Sequence, residues 1–249
     1  MGLAQKVVLL MGAGQEDGEG HICGFTFWTG SDQVDFFTRP ELYESPIGKE
    51  MVSRALAEAE EKQVESIKSN CVDCEVEKAR FLERLGFRRS GYVEVFLERP
   101  LADPLSSYRL PNQYSIISIA DQPEFTSGNG LSIYPPEVNE CIRSAPGYKS
   151  DLDVKACYCN EGVISGCISL CWYDDVGNCA VFEPVGTRDD HRGKGLALAV
   201  MVQAMENLRR YGAKMVYVGT GKNNTPAVHL YQKAGFSITD EIHQWQREM

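Results

Sequence analysis

The chain has 249 residues, 43% of them hydrophobic, with a formal net charge of −10 at pH 7 and an isoelectric point near 5.0. That balance argues against nonspecific nucleic-acid binding and weakly favours a cationic partner or substrate, although a merely solvated acidic surface is the stronger reading. The length allows one large domain or two small ones, and no apolar run reaches the roughly 18 residues a membrane helix needs.

In chain order, the first features are imitations. Lys6 followed by apolar residues 7–10 resembles a signal peptide, but the run is short and the GQEDGEG beyond it is no cleavage region. Gly2 would suit myristoylation if position 6 were Ser or Thr rather than Lys6. Gly12, Gly14 and Gly18 suggest a dinucleotide loop, yet a strand pattern at 22–28 follows instead of a helix, so a hairpin turn is the reading. Strands are predicted at 7–11, 22–28 and 34–38, a helix at 47–61, a strand at 64–69 and a helix at 75–85. Segment 99–112, RPLADPLSSYRLPN, carries three prolines and reads as a linker. A strand at 114–120, a polar loop at 121–129 and short helical turns from Pro135 come next. Strands at 153–159, 162–172 and 178–187 make an antiparallel meander.

The meander ends in a basic, glycine-containing turn, 188–195. A helix follows at once, with Leu196, Val200, Ala204, Leu208 and Tyr211 on one apolar face. Main-chain N–H groups at a helix N-terminus bind anions, glycine admits a phosphate close to the backbone, and Arg188, Arg192 and Lys194 add charge. It is not a Walker A loop, because Leu196 follows Gly195. A strand at 215–220, a helix opened by Pro226 and a final strand at 237–245 complete the chain.

Nine cysteines are present. Cys71 and Cys74 form one CxxC without a second pair or a histidine at zinc-ligand spacing, so no metal is expected. Cys157 with Cys159, and Cys167 with Cys171, sit at even spacing on strands and read as small buried hydrophobes. Reduced thiols of this kind fit a cytoplasmic protein. His191 and His229 have no partner at catalytic spacing and are expected at the surface.

Arg192, Gly193, Lys194, Gly195, Leu196 and Ala197 resemble the Arg/Gln-x-x-Gly-x-Gly/Ala signature of the GNAT superfamily of acetyl-CoA-dependent N-acetyltransferases. Asn224, Ala227, Leu230, Tyr231, Lys233, Gly235 and Phe236 resemble the second block of that family, in order and in spacing. The likeness is densest over 178–237. FLERLGF at 81–87 also echoes LYQKAGF at 230–236, and the offset of 149 residues holds backwards without a gap, pairing Ile67 with Val216, Ala55 with Ala204 and Arg39 with Arg188. This predicts an internal duplication. The expected fold is mixed α/β: two GNAT-like domains, 1–100 and 101–249, each with a mostly antiparallel central sheet flanked by helices. At the phosphate loop the first copy has Tyr43, Glu44, Ser45 and Pro46 in place of Arg192, Gly193, Lys194 and Gly195, so it reads as shortened and degenerate. Its uncovered edge is expected to pack against the second copy.

The resemblance implies acetyl transfer from acetyl-CoA to a primary amine by direct attack on the thioester. It assigns the pantetheine arm to the strand ending Val185, Gly186 and Thr187, with the Val185 N–H as oxyanion donor and Pro184 at a bulge. The cofactor-binding residues are then Val185, Thr187, Arg188, Arg192, Gly193, Lys194, Gly195, Leu196, Ala197 and Asn224. Asn224 either bonds the cofactor or caps its helix. Tyr231 is the implied general acid and Glu183 the implied base; core packing for Tyr231 and a structural role for Glu183 are the alternatives. Asp174 and Asp175 lie in a turn and rank below Glu183. A small-molecule or peptide amine is the expected acceptor, with no nucleic acid and no membrane as partner. The double arrangement resembles the mycothiol synthases, but no residue identifies that acceptor. A coenzyme A-binding module without turnover, and aminoacyl transfer from charged tRNA, are the competing classes.

Overall fold

The computed structural model describes residues 14–16, 21–121, 136–158 and 164–249. The strand expected at 7–11, the loop at 122–129, Pro135 and Cys159 lie outside them. The chain forms two compact units, one running to Glu94 and including Asp240–Met249, the other Val95–Thr239. The fold is mixed α/β, with mostly antiparallel sheet and flanking helices.

The first unit holds β1 (Gly14–Glu16), β2 (Ile22–Thr29), β3 (Gln33–Thr38), α1 (Pro46–Glu61), β4 (Ser66–Val72), α2 (Val76–Arg84) and most of β11 (Ser237–Glu248). Its strands lie in the order β1-β2-β3-β4-β11. Neighbours run antiparallel except β3 and β4, which α1 connects. Strand alternation sends Val34, Phe36, Ile67 and Cys71 inward. They meet Met51, Val52, Ala55 and Ala59 on one face of α1, together with Phe81, Leu82 and Trp245. Pro46 starts α1, and the Ser45 hydroxyl caps it by accepting from Ile47 N–H at 3.1 Å.

β11 pairs with β4 from Ile242 opposite Val72 to Glu248 opposite Ser66, burying Trp245 in this core. From the sequence, this strand is expected in the second copy, 101–249; most of it completes the sheet of the first unit. At the end of the ladder Asp73, Glu241 and His243 converge within 4.8 Å. Arg89 Nη2 stands 3.4 Å and His243 Nε2 3.0 Å from the same Asp73 oxygen. Those contacts tie the strand in place.

The second unit begins inside β5 (Arg88–Pro100) and continues through β6 (Tyr114–Ser118), α3 (Pro136–Ser144), β7 (Asp153–Tyr158), β8 (Ile164–Asp174), β9 (Cys179–Thr187), α4 (Leu196–Tyr211), β10 (Met215–Gly221) and α5 (Thr225–Lys233). The order is β5-β10-β9-β8-β7-β6. β6 to β9 are successively antiparallel, while β9 and β10 are parallel and joined by α4. Val200, Met201, Ala204 and Leu208 of α4 are fully buried over Val154, Ala156 and Phe182 of the sheet. Gly212, left-handed at φ 81°, stops the helix just after Arg209 and Arg210.

Segment 99–112 is not loose. Leu101 is in the core. Arg99, 1% exposed, donates to Ala234 O, and to Asp103 O and Pro104 O at 3.2 and 2.7 Å. Arg209 donates to Leu101 O and Asp103 O at 2.8 and 2.6 Å.

The 149-residue offset recurs in the elements. β4 and β10, and α2 and α5, coincide end to end under it, and α1 and α4 differ by one residue.

Candidate functional site

β9 shapes the site. Its parallel ladder with β10 ends where Phe182 faces Val218. On its other side, register with β8 shifts between Ser169–Val185 and Cys171–Phe182, so Glu183 and Pro184 together oppose one residue. A bulge therefore falls at Pro184, as a residue without an N–H requires. The Trp172 indole donates to Glu183 O at 2.8 Å and holds the bulge. Asp174 accepts from Val176 and Gly177 N–H at 3.0 Å each, which is the turn geometry expected of it.

Beyond the bulge, a cleft of about 620 Å³ opens between the end of β9 and the start of α5, with the N-terminus of α4 at one end. Val185, Thr187, Arg192, Gly193, Lys194, Gly195, Leu196, Ala197 and Asn224 all line it. Gly193 and Gly195 are left-handed, at φ 73° and 77°, a conformation that turns successive N–H groups to one side. Gly195 is the N-cap of α4 and offers no side chain to it. The first N–H groups of α4 thus have no side-chain cap. Arg192 Nη2 lies 2.8 Å from Asp189 Oδ1, and Lys194 Nζ donates to Asp190 O at 2.6 Å.

Of the expected site residues, Arg188, Tyr231 and Glu183 lie off the cleft wall, and Asn224 lines it without capping its helix. Arg188 is exposed and not on the cleft wall; its N–H bonds Gly166 O at 3.0 Å. Asn224 occupies the N-cap of α5 without a side-chain cap bond, its amide reaching Thr220 Oγ1 at 3.1 Å instead. Tyr231 is 6% exposed and packs on Phe236 at 6.3 Å between ring centroids. Burial, and then the charge of Glu183, pushes its phenol up to about 12. Glu183 is exposed.

His191 overturns its expected surface position. It lines the cleft yet is only 7% exposed, because Gly166 leaves space for its ring and Tyr114 and Tyr158 stand against it. Its Nδ1 is 2.7 Å from the Tyr114 hydroxyl. No local signal marks this, since Tyr114 is 77 residues away. His229 is exposed as expected. A Cβ on Gly166 would sit 2.9 Å from His191 Nδ1, so Gly166→Ala should destabilise the chain by about 1–3 kcal/mol in denaturant titration. A midpoint unchanged by the substitution would show that the ring moves aside freely.

The Acetyltransferase (GNAT) family model matches residues 130–236. That segment is similar to the GNAT family. A mycothiol acetyltransferase of Corynebacterium aurimucosum is 33% identical over 63 residues, a quarter of this chain and 21% of that protein. The match thus spans about a fifth of that relative's length. In fold, the chain is similar to a GCN5-related N-acetyltransferase from Sphaerobacter thermophilus, with TM-score 0.70 and 15% identity over 94% of this chain and 79% of the other. A tandem GNAT protein from the clavulanic acid biosynthesis pathway gives TM-score 0.64 and 16% identity over 93% and 81%. Among the described residues, no helix is long and apolar enough to cross a membrane.

Proposed function

We propose that this chain is an acetyl-CoA-dependent N-acetyltransferase built on a duplicated GNAT scaffold, with its one donor site in the second unit. What carries this reading is the α4 N-terminus, which lacks a side-chain cap, carries two left-handed glycines and two cations, and opens into the cleft bordered by β9. In it, the Arg192–Gly195 loop takes the diphosphate, Val185 to Thr187 take the pantetheine arm, and Asn224 closes the opposite wall. The Val185 N–H receives the developing oxyanion. Glu183 takes the proton of the amine, and Tyr231 protonates the leaving thiolate.

The equivalent place in the first unit is filled from within. Ser45 caps α1, Pro46 has no N–H, and a Cβ on Gly48 would lie 2.0 Å from Tyr43 O. This supports a degenerate first copy that binds no donor.

The acceptor of the mycothiol acetyltransferases is not carried over, because the identity spans so small a share of those proteins. The acceptor here is a primary amine of a small molecule or peptide. A coenzyme A-binding module without turnover is the second reading, favoured by the position of Tyr231 and Glu183 off the cleft wall. Thiol release from acetyl-CoA across a panel of amines separates the two: release above the acceptor-free rate identifies an enzyme.

Calorimetry should find one coenzyme A per chain. Arg192→Glu replaces a charge-assisted phosphate contact with repulsion, and should weaken binding about 30- to 1,000-fold. Two equivalent sites per chain would refute the degenerate copy.

A further inference from the structure

This inference rests on the donor site proposed above and concerns what holds its loop in shape. Gly193 and Gly195 let the loop turn its N–H groups inward, but glycine also gives an unliganded loop the most backbone freedom to lose. Within the run 188–195, His191 alone is buried. Three strands hold its ring. Tyr114 of β6 and Tyr158 of β7 meet it near edge-on, with centroids 5.7 and 5.6 Å away. Gly166 of β8 lies so close that any side chain there would collide.

The hydrogen bonding is directional. When the Tyr114 hydroxyl donates to Nδ1 at 2.7 Å, the imidazole proton sits on Nε2, which faces Asp190 Oδ2 at 3.4 Å. Asp190 in turn accepts Lys194 Nζ on its carbonyl at 2.6 Å, and that ammonium lies 5.8 Å from the centre of the Tyr114 ring. The His191 side chain thus ties the sheet to the start of the glycine turn, while Lys194 on its far side meets the Asp190 carbonyl and the Tyr114 ring.

We propose that His191, held by Tyr114, is the positioning residue that presets the 192–195 loop for the diphosphate of the donor. Binding needs the loop in one arrangement, and the apparent dissociation constant rises as the fraction of chains already in it falls. Losing the anchor lowers that fraction without removing any group that touches phosphate.

The test compares the full chain with His191→Ala, His191→Asn and Tyr114→Phe against three probes. Coenzyme A and dephospho-coenzyme A carry the diphosphate, and pantetheine lacks it. His191→Ala should weaken both diphosphate ligands about 10- to 30-fold and pantetheine less than about twofold. His191→Asn, whose amide oxygen can accept from Tyr114, should restore most of the loss. Tyr114→Phe keeps every ring contact and should weaken the diphosphate ligands about three- to tenfold, which decides the matter if His191→Ala fails to fold. Parallel losses for pantetheine, or unchanged coenzyme A affinity in Tyr114→Phe and His191→Ala, would overturn the proposal. A wild-type chain that binds no coenzyme A would instead remove the donor site itself.

Discussion

Replacing Tyr231 with phenylalanine should lower the maximal rate of acetyl transfer by about 10²–10⁴-fold while leaving coenzyme A affinity near wild type. The substitution keeps the ring against Phe236 and removes only the hydroxyl. Burial and the Glu183 charge hold the phenol at about 12, so its proton stays in place through the neutral range. Because the folded value lies above the ordinary one near 10, the stability it confers is complete below about pH 10 and is lost as pH rises towards about 12. The ratio of wild-type to Tyr231→Phe rates should then be flat from about pH 7 to about 9.5. A variant with an undiminished rate, measured where chemistry is limiting, returns Tyr231 to a purely structural place in the core.

Deleting residues 1–109 should prevent the remainder from folding, although it retains every proposed site residue. The second unit starts at Val95, not beyond the prolines. Val95, Leu97 and Leu101, each at most 2% exposed, belong to its core. At about 1.5–3 kcal/mol apiece, their removal withdraws about 5–9 kcal/mol, as much as many domains have in total. The deletion also removes Arg99, which holds the end of α5 through Ala234 O. Beginning the fragment at Val95 restores all four residues. Circular dichroism and urea melting should therefore separate the two fragments sharply. A cooperative melt from the shorter one, with full activity, would show that the β5 strand is dispensable.

How much of this was legible beforehand depends on the range of each interaction. The α4 face and the glycine turn are written in adjacent residues, and both the spacing of Leu196, Val200, Ala204 and Leu208 and the left-handed Gly193 and Gly195 appear in the structure. The Pro184 bulge follows from one missing N–H. What escaped depends on partners far away in sequence. Arg99 reads as a solvated charge beside prolines until carbonyls at 103, 104 and 234 surround its guanidinium. His191 reads as a surface group until Tyr114, Tyr158 and Gly166 close over it. Alternation marks 237–245 as a strand but does not name its neighbour, and the β4 edge that takes it lies more than 160 residues earlier.

That last pairing sets an order of events during synthesis. β4 is made early, but its partner Ile242–Glu248 emerges only after the whole second unit has been translated. At about 5–20 residues per second, the wait between Glu94 and the arrival of β11 is about 7–30 s. Throughout it, the ribosome-bound chain presents β4 with one row of main-chain donors and acceptors unmatched, a template for any passing strand. Newly made chains should therefore need shielding by a holdase until translation passes residue 248. Chains stalled just before β11 should be the species that aggregates.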